Sequence, residues 1–380
     1  MRQRLFSVLA VLILVVTAFI IASRELQFKP DYSDVTLQYE NDGKNRYYYG
    51  NLSPNAKTAY TMILPKLYEH SEKIEIPELT DEEFDLLIYA LSYDNPDLFC
   101  LDIQSRMESD GDVFYYSPSY THSKEECQSK RAELDSAVQK ALSGVSTDAD
   151  DYEKELYVHD YICKICTYNM DSDEQKNRSV YDVFVDGSAV CEGYAKAAKL
   201  LLDKLSVSNY LVTGDTEDEN GEISGHMWNV VSINSENYHF DVTWDDIDTN
   251  EIFEPNHIYF NLTDEMIQKT HFNLNPKENN CNSTKFNYYN QIKMCFSRYD
   301  DTARKSIVNN IYSNYKNGNN ICEFKFTDEK EYKKAFNELI EGDGLTRIFE
   351  ELYQTHNDLN FENAQYIKDD KLYAFMFAFS

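Results

Sequence analysis

The stretch Val190-Cys191-Glu192-Gly193-Tyr194-Ala195 decides how the rest of the chain is interpreted. It opens a segment, from about Cys191 to Ser206, in which apolar residues recur at helical spacing and predict one buried face. Gly187 and Ser188 predict a turn just before it, so Cys191 belongs to the first helical turn. Unpaired N–H groups and partial positive charge at a helix start favour a thiolate and can stabilise an oxyanion. The alternative is a buried structural cysteine that happens to begin a helix.

Two later stretches supply the other groups that a thiol nucleophile needs. His226 lies in a strand-like run, Gly225–Val231, and Asp241 lies in Tyr238–Trp244, where aromatic and β-branched residues alternate. The polar residues 234–237 between them predict a hairpin turn, so paired antiparallel strands would bring His226 and Asp241 side by side. An imidazole can take the thiol proton, and a carboxylate can hold that imidazole in one tautomer.

Together the three segments resemble the transglutaminase-like superfamily, a branch of the papain-like thiol enzymes. The matching motifs are Val-Cys-Glu-Gly-Tyr-Ala at Cys191, a His followed by an aromatic residue and Asn at His226, and Asp-x-Thr-Trp at Asp241. The resemblance implies Cys191 as nucleophile, His226 as general base and Asp241 as its orienting partner. It also implies an α+β fold with a papain-like core, in which the Cys-bearing helix packs on an antiparallel sheet.

The same motifs contain the residues expected around the substrate cleft. Four residues are predicted to line or support it: Tyr194, Trp228, Asn229 and Trp244. The two tryptophans are the only ones in the chain, and their large apolar area suits walls that exclude water from an acyl-enzyme. Ordinary core packing of paired strands is the alternative for both.

Two further histidines, His239 and His159, lie near an aspartate in the sequence. Strand alternation places His239 on the same face as Asp241, so it rivals His226 as the base. The family pattern favours His226. The pair His159-Asp160 lies in a predicted helix and resembles a pair that the family carries before its Cys. Neighbouring helix residues point in different directions, so we expect separate structural contacts here and no relay.

Composition excludes several classes of function. The formal net charge of −30 would repel nucleic acid phosphates and anionic lipid surfaces. The sequence has no phosphate-binding Gly-rich loop with Lys, no His-Glu-x-x-His and no Gly-x-Ser-x-Gly. The acidic run at 214–222 lacks the Asp-x-Asp-x-Asp-Gly framework of a calcium loop and is interpreted as solvated. No cofactor and no metal are therefore expected.

Eight cysteines raise the question of disulfides and metal sites. Cys163 and Cys166 have a metal-like spacing, but they lie in a predicted helix without a second pair, so we interpret them as packing residues. Cys100 and Cys127 could form a disulfide, which spacing alone does not establish.

The N-terminus holds the one strongly apolar segment. Leu5 to Ala22 contains 18 residues without a charge, preceded by Arg2 and Arg4. That length can cross a bilayer, and the positive residues would stay on the cytoplasmic side. The sequence therefore predicts a single-pass membrane protein with its folded domains outside. Secretion after cleavage of a signal peptide is the alternative.

The predicted domains, in order, are a signal-anchor transmembrane helix (1–24), a linker (25–50), an N-terminal α/β prefix module (51–150), the catalytic domain (151–275) and a small C-terminal α/β module (283–380). His257–Leu262 is predicted as the last strand of the catalytic domain. The C-terminal module is predicted to be of split β-α-β type, with a cell-surface or wall partner or a supporting role as its function.

The resemblance implies acyl transfer through a Cys191 acyl-enzyme formed on a peptide or protein amide outside a bacterial cytoplasm. An amine acceptor would make the protein a transglutaminase, and water would make it a cysteine peptidase or amidase. The sequence leaves both open. The alternative from another class is a non-catalytic cell-surface binding or scaffold protein that retains the fold.

Overall fold

The computed structural model describes residues 30–40, 45–169, 176–217, 221–246, 255–356, 359 and 363–379. It divides into two compact units between Lys124 and Glu125. The five-part domain division stays a prediction.

The first unit packs helices on a three-stranded antiparallel sheet with the order β1-β3-β2. Its elements are α1 (Tyr47–Gly50), α2 (Pro54–Tyr68), β1 (Ile74–Ile76), α3 (Asp81–Tyr93), β2 (Leu101–Asp110) and β3 (Val113–Tyr120). A capping box opens α3: the Thr80 hydroxyl accepts the Glu83 N–H, and the Glu83 carboxylate accepts the Thr80 N–H. This exchange satisfies two amides that the helix cannot use, so α3 begins where the sequence indicates.

The second unit begins with a mixed α and β region. Its elements are α4 (Lys124–Leu142), α5 (Asp151–Ile165), β4 (Thr167–Tyr168), a π-helical turn (Asp182–Asp186), β5 (Ser188–Ala189), α6 (Cys191–Lys204), β6 (Ser208–Glu217), β7 (Ile223–Ile233), β8 (Glu236–Phe240), α7 (Asp264–Ile267) and β9 (His271–Asn275). Strands β8-β7-β6-β9 form one antiparallel sheet. The Asn229 side chain on β7 donates to the Ala195 carbonyl of α6 over 3.0 Å. A Cys-bearing helix thus packs on an antiparallel sheet, which confirms the predicted α+β class.

Strands β7 and β8 form the predicted hairpin with a shorter turn. Asn234 and Ser235 have φ of 51° and 67°, the left-handed values that a two-residue type I′ turn requires. The ladder ends where Asn229 pairs with Phe240. The segment Asp241–Trp244, predicted as strand, is therefore a turn that leaves the sheet.

The edge strand beside β6 is not the one predicted. His257–Leu262 forms turns, with one isolated bridge from Leu262 to His239, and the strand prediction for it is wrong. Asn261 has a φ of 58°, which interrupts an extended backbone despite the apolar run around it. The edge position beside β6 belongs to β9 (His271–Asn275), which follows the predicted segment in the chain.

The rest of the second unit is a four-stranded sheet covered by helices. Its elements are α8 (Tyr288–Gln291), β10 (Cys295–Phe296), α9 (Asp301–Lys316), β11 (Ile321–Phe326), α10 (Glu329–Phe336), a π-helical turn (Asn337–Glu341), α11 (Gly344–Thr355), β12 (Ala364–Asp369) and β13 (Ala374–Phe379). The order is β10-β11-β13-β12, and β10 runs parallel to β11 across the α9 connection. Phe324 and Phe326 enter the apolar core under the helices, whereas Glu323 and Lys325 are buried on the opposite face of β11.

Among the described residues, no helix is both long enough and apolar enough to cross a bilayer. This finding contradicts the predicted single-pass anchor, and that prediction is withdrawn. The segment Leu5–Ala22, on which it rested, lies outside the described residues.

The cysteines are mostly reduced. Cys100 and Cys127 are each disulfide-bonded, and the other six cysteines form no disulfide. Cys163 and Cys166 are buried, in agreement with a packing role.

Candidate active site

Cys191 is the first residue of α6, as predicted, and its side chain is partly exposed. The preceding residue, Val190, has an extended backbone, and its carbonyl accepts the N–H groups of Gly193 and Tyr194. The amides of Cys191 and Glu192 lie outside the helical hydrogen-bond pattern, as they do at any helix start. The thiol therefore stands at an accessible helix N-terminus.

A close approach of the chain fixes this helix start. The Val190 N–H donates to the Asn177 carbonyl over 2.8 Å. A Cβ at Gly193 would lie 2.8 Å from the Ala189 Cβ and 3.1 Å from the Asn177 carbonyl oxygen. Only glycine leaves room for that contact, which explains the Cys-Glu-Gly order of the motif.

His226 on β7 lies between the thiol and a carboxylate. Its Nε2–H donates to Asp241 Oδ2 over 2.7 Å. Burial alone would lower the pKa of His226, but the Asp241 charge and hydrogen bond, together with the hydrogen bond to Cys191, raise it to about 10. Because Nε2 faces Asp241, Nδ1 is the nitrogen left for the sulfur of Cys191.

Asp241 is buried and accepts four hydrogen bonds. Oδ1 accepts the backbone N–H groups of Thr243 and Trp244 at 3.1 and 3.2 Å, and Oδ2 accepts from His226 and from His271. Burial opposes ionisation, but the two histidines hold the pKa of Asp241 well below its usual range. The turn that replaces the predicted strand supplies the two backbone donors, so leaving the sheet completes the carboxylate's hydrogen bonding.

His271 was missed in the sequence. It opens β9, is fully buried, and donates its Nε2–H to Asp241 Oδ2 over 3.1 Å. Burial lowers the pKa of His271 to about 4, so the ring is neutral at pH 7. The Asn-rich run that follows it carries a weak strand signal, and its place in the site depends on pairing with distant β6. We name Cys191, His226, Asp241 and His271 the site cluster.

Tyr168 is a second neighbour that sequence reasoning did not select. It lies on β4, which pairs in parallel with β5 and sets Tyr168 opposite Ala189, two residues before Cys191. Burial, together with the charges of Cys191 and Asp241, raises the pKa of Tyr168 to about 12. The phenol therefore stands in the field of the thiol.

Two of the four predicted cleft residues are internal supports. Tyr194 is fully buried, and its hydroxyl donates to the carboxylate of Asp246, which joins α6 to the turn after β8. Asn229 is buried, and its side-chain amide donates to the Ala195 carbonyl. Both place α6 relative to the sheet, and neither reaches the surface.

The tryptophans differ from each other. Trp228 is buried, and its ring stacks near His226 with centroids 5.8 Å apart. Trp244 is partly exposed and lies edge-on to His226 at 6.1 Å and against His271 at 4.6 Å. Both enclose the imidazoles in apolar surface, and Trp244 is the one positioned to meet a substrate.

His239 has no nitrogen to offer as a base. The Trp228 Nε1–H, which can only donate, bonds to His239 Nδ1 over 3.0 Å. Nε2 therefore carries the ring's proton and donates to Asp264 Oδ1 over 2.9 Å. This arrangement favours His226 as the base. It also disfavours a metal ion between His239, Asp264 and Cys281, whose ligand atoms lie within 4.8 Å, because the ring would have to become an anion.

A second group of buried histidines and carboxylates lies apart from the thiol. We name it the anchor cluster: His159, Asp160, Asp245, His257 and Glu323. His159 bonds Asp160 over 2.9 Å and Asp245 over 3.1 Å, while His257 bonds Asp160 over 3.1 Å and Glu323 over 3.0 Å. All four ring nitrogens thus face carboxylate oxygens.

The anchor cluster corrects one expectation. His159 and Asp160 do contact each other, because the Asp160 carboxylate turns back to reach the neighbouring ring. Burial opposes the charge on His257, but Glu323 and Asp160 raise its pKa to about 10. His159, Asp160 and His257 are also close enough to hold a metal ion, yet a charged ring with two N–H donors has no lone pair for one. The cluster ties α5 to β11 by hydrogen bonds.

The fold and the site define an α+β protein of the papain-like type, in which a thiol, an imidazole and a carboxylate meet from three elements. Residues 138–242 match the family model of the transglutaminase-like superfamily, and this region of the chain is a transglutaminase-like domain. It contains Cys191, His226 and Asp241, and it supports a thiol enzyme of that kind. His271 lies beyond the matched residues.

Three solved structures show similarity to parts of the chain. A transglutaminase shares 16% identity over 46% of this chain and 50% of its own, with a TM-score of 0.27. A candidate cysteine protease from Cytophaga hutchinsonii shares 14% over 37% and 61%, with a TM-score of 0.25. A candidate protease from Parabacteroides distasonis shares 10% over 37% and 35%, with a TM-score of 0.23.

The chain thus spans about half the length of the solved transglutaminase. At these sequence identities and TM-scores, the similarities do not bear on activity or substrate. The comparison with curated proteins gave no match.

Proposed function

We propose that this protein is a thiol-dependent enzyme that acts on peptide or protein amides through an acyl-enzyme on Cys191. The observation that carries the proposal is the position of His226, which is hydrogen-bonded to Asp241 through Nε2 and lies near enough to Cys191 for the thiol to contribute to its raised pKa. A buried histidine that serves only packing does not need a reactive thiol at a helix N-terminus beside it. The transglutaminase-like match supports the same class of chemistry.

Before the first half-reaction the Cys191 thiol proton resides on Nδ1 of His226 as a thiolate–imidazolium pair, and the thiolate then attacks the amide carbonyl. The oxyanion that forms would accept hydrogen bonds from the Cys191 backbone N–H and, as a second candidate donor, from the Tyr168 hydroxyl. His226 then returns its proton to the leaving amine. The carbon–nitrogen bond breaks and a thioester remains on the sulfur.

In the second half-reaction, a new nucleophile attacks the thioester. His226 takes the proton of that nucleophile, and the thiolate of Cys191 leaves. Asp241 stays ionised throughout, because four donors hold its charge, and it stabilises the imidazolium formed in each half-reaction. A primary amine as nucleophile gives transglutamination, and water gives peptide hydrolysis or deamidation.

The test is incubation of the full-length chain with a library of Gln-containing peptides, with and without a small primary amine, followed by mass spectrometry. Products that carry the amine indicate acyl transfer, and cleaved or deamidated products indicate hydrolysis. Either result must disappear in Cys191→Ala. An unchanged library, together with Cys191 reactivity equal to that of a free model thiol, would refute the proposal and favour a binding protein that retains the fold.

A further inference from the structure

We infer that His271 is a positioning residue of the proposed reaction: as a neutral imidazole, it donates its Nε2–H to the Asp241 oxygen that also holds His226. The inference rests on the proposed function of Cys191. It adds a fourth side chain to the three that the sequence motifs supply.

Hydrogen bonds fix the tautomer of His271. The ionised Asp241 carboxylate, 3.1 Å from Nε2, can only accept, so the single proton of the neutral ring sits on Nε2. Nδ1 is then the acceptor nitrogen and lies 2.8 Å from the Thr270 hydroxyl oxygen. A neutral His271 can only be a donor to the carboxylate.

The two imidazoles approach one oxygen from different directions. The centroids of His226 and His271 are 5.2 Å apart, and their planes are inclined by 59°. His226 Nε2 lies 2.7 Å from Asp241 Oδ2, and His271 Nε2 lies 3.1 Å from the same atom. The carboxylate is thereby held in one rotation, with Oδ2 aimed at the base.

Apolar rings shield this interaction from solvent. The His271 ring packs against Trp228 at 4.9 Å, Trp244 at 4.6 Å and Tyr259 at 5.9 Å. Its strand, β9, is anchored by pairing with β6 through Thr216. Water cannot easily take the place of a donor lost in such surroundings, so the carboxylate would be left short of one hydrogen bond.

The sharing of Asp241 has a chemical consequence. A donated hydrogen bond stabilises the carboxylate charge, so Asp241 holds the proton of His226 less tightly than it would with one imidazole. The other titratable group that acts on His226 is Cys191, Tyr168 lies in the field of Cys191 and Asp241, and His239 lies in the field of His271. None of these donates to Asp241 in place of His271. The shared carboxylate thus lets His226 release its proton to the leaving amine.

The experiment is the pH profile of Cys191 alkylation by iodoacetamide, followed by mass, in the full-length chain. The alkaline limb of the profile reports loss of the His226 proton from the thiolate–imidazolium pair. We expect His271→Leu to move that limb upward by about one pH unit, the scale of one hydrogen bond to a charged group.

Matched variants separate positioning from packing. His271→Gln keeps an N–H near the Nε2 position and should restore the wild-type limb. His239→Gln changes another buried neutral histidine that donates to a carboxylate, but to Asp264, and should leave the limb in place. A purely structural role for His271 would lower stability without moving the limb.

The outcomes are distinct. If His226→Gln leaves Cys191 as reactive as before, the proposed function fails. If His226→Gln slows alkylation but His271→Leu keeps the wild-type limb, or His271→Gln shifts it equally, only this inference is overturned. If His271→Leu does not fold, His271→Phe tests the same point, because it keeps a planar ring between the two tryptophans but has no N–H for Asp241; a wild-type limb there overturns the inference.

Discussion

The site cluster and the anchor cluster each contain two histidines and an aspartate that both histidines contact. They differ in whether a ring nitrogen is left for a nucleophile. Each has two buried histidines that share one aspartate, Asp241 in the first and Asp160 in the second. In the anchor cluster all four ring nitrogens face carboxylates. In the site cluster one nitrogen, Nδ1 of His226, is left for a thiol.

The difference shows that a shifted pKa does not by itself mark chemistry. Carboxylates raise the pKa of both His226 and His257 to about 10. Only His226 combines this shift with a free ring nitrogen and a nucleophile at a helix N-terminus. The anchor cluster instead connects secondary-structure elements.

The comparison would fail most clearly if the Cys191 thiol were no more reactive than a free thiol. We expect Cys191→Ala to remove the fast phase of alkylation completely at neutral pH. Cys295→Ala should leave that phase intact, because burial raises the pKa of the partly exposed Cys295 thiol. The measurement is time-resolved alkylation with peptide mapping. A fast phase that survives in Cys191→Ala would contradict the assignment.

The next largest effect separates the two kinds of histidine. His226→Gln should slow reaction at Cys191 by about 10²- to 10⁴-fold, the usual contribution of a positioned acid–base group. His257→Gln should change the rate per folded molecule by less than about threefold. His257 does not contact the thiol, so this variant removes no acid–base group from the site. Equal effects of the two variants would show that the imidazoles act only through folding.

The anchor cluster should affect the unfolding free energy and leave the reaction rate at Cys191 unchanged. Glu323→Gln leaves the His257 ring without one of its two carboxylates, and breaking a buried ion pair costs about 3 kcal/mol. We expect the unfolding free energy to fall by about that amount in denaturant titrations, with the alkylation rate of the folded protein unchanged. A stable but unreactive Glu323→Gln protein would contradict the division of roles.

The last comparison concerns the pH dependence of stability. The folded pKa of His257 lies above its unfolded value of about 6.5. Its stabilising contribution is therefore fully present below that value and is lost as pH rises through about 10. Unfolding free energies should fall over this window, and less steeply in Glu323→Gln. An identical slope in both proteins would mean that the anchor cluster does not bind the extra proton.

Local sequence patterns predicted the elements that carry Cys191 and His226, two of the three motif residues. Helical periodicity placed Cys191 at the start of α6, and alternation with a polar turn gave the β7–β8 hairpin that carries His226. The turn at Asp241 was not predictable from alternation, because the two backbone N–H groups that cap its carboxylate override strand propensity.

Long-range contacts supplied the rest. His271 enters the site because β9 pairs with β6, more than fifty residues away along the chain, and no local pattern encodes that pairing. The His159–Asp160 contact likewise depends on Asp245 and His257 closing around the pair. Propensity and periodicity describe one element at a time, so residues recruited from distant segments escape them.

The most direct test of the account is whether an acyl group resides on Cys191. The full-length protein is mixed with p-nitrophenyl acetate, nitrophenol release is followed by absorbance, and the quenched protein is mapped by mass spectrometry. The account predicts a burst of about one nitrophenol per chain, one acetyl group on Cys191, and loss of both in His226→Gln. An acetyl group spread over other side chains, or an equal burst in Cys191→Ala, would contradict it.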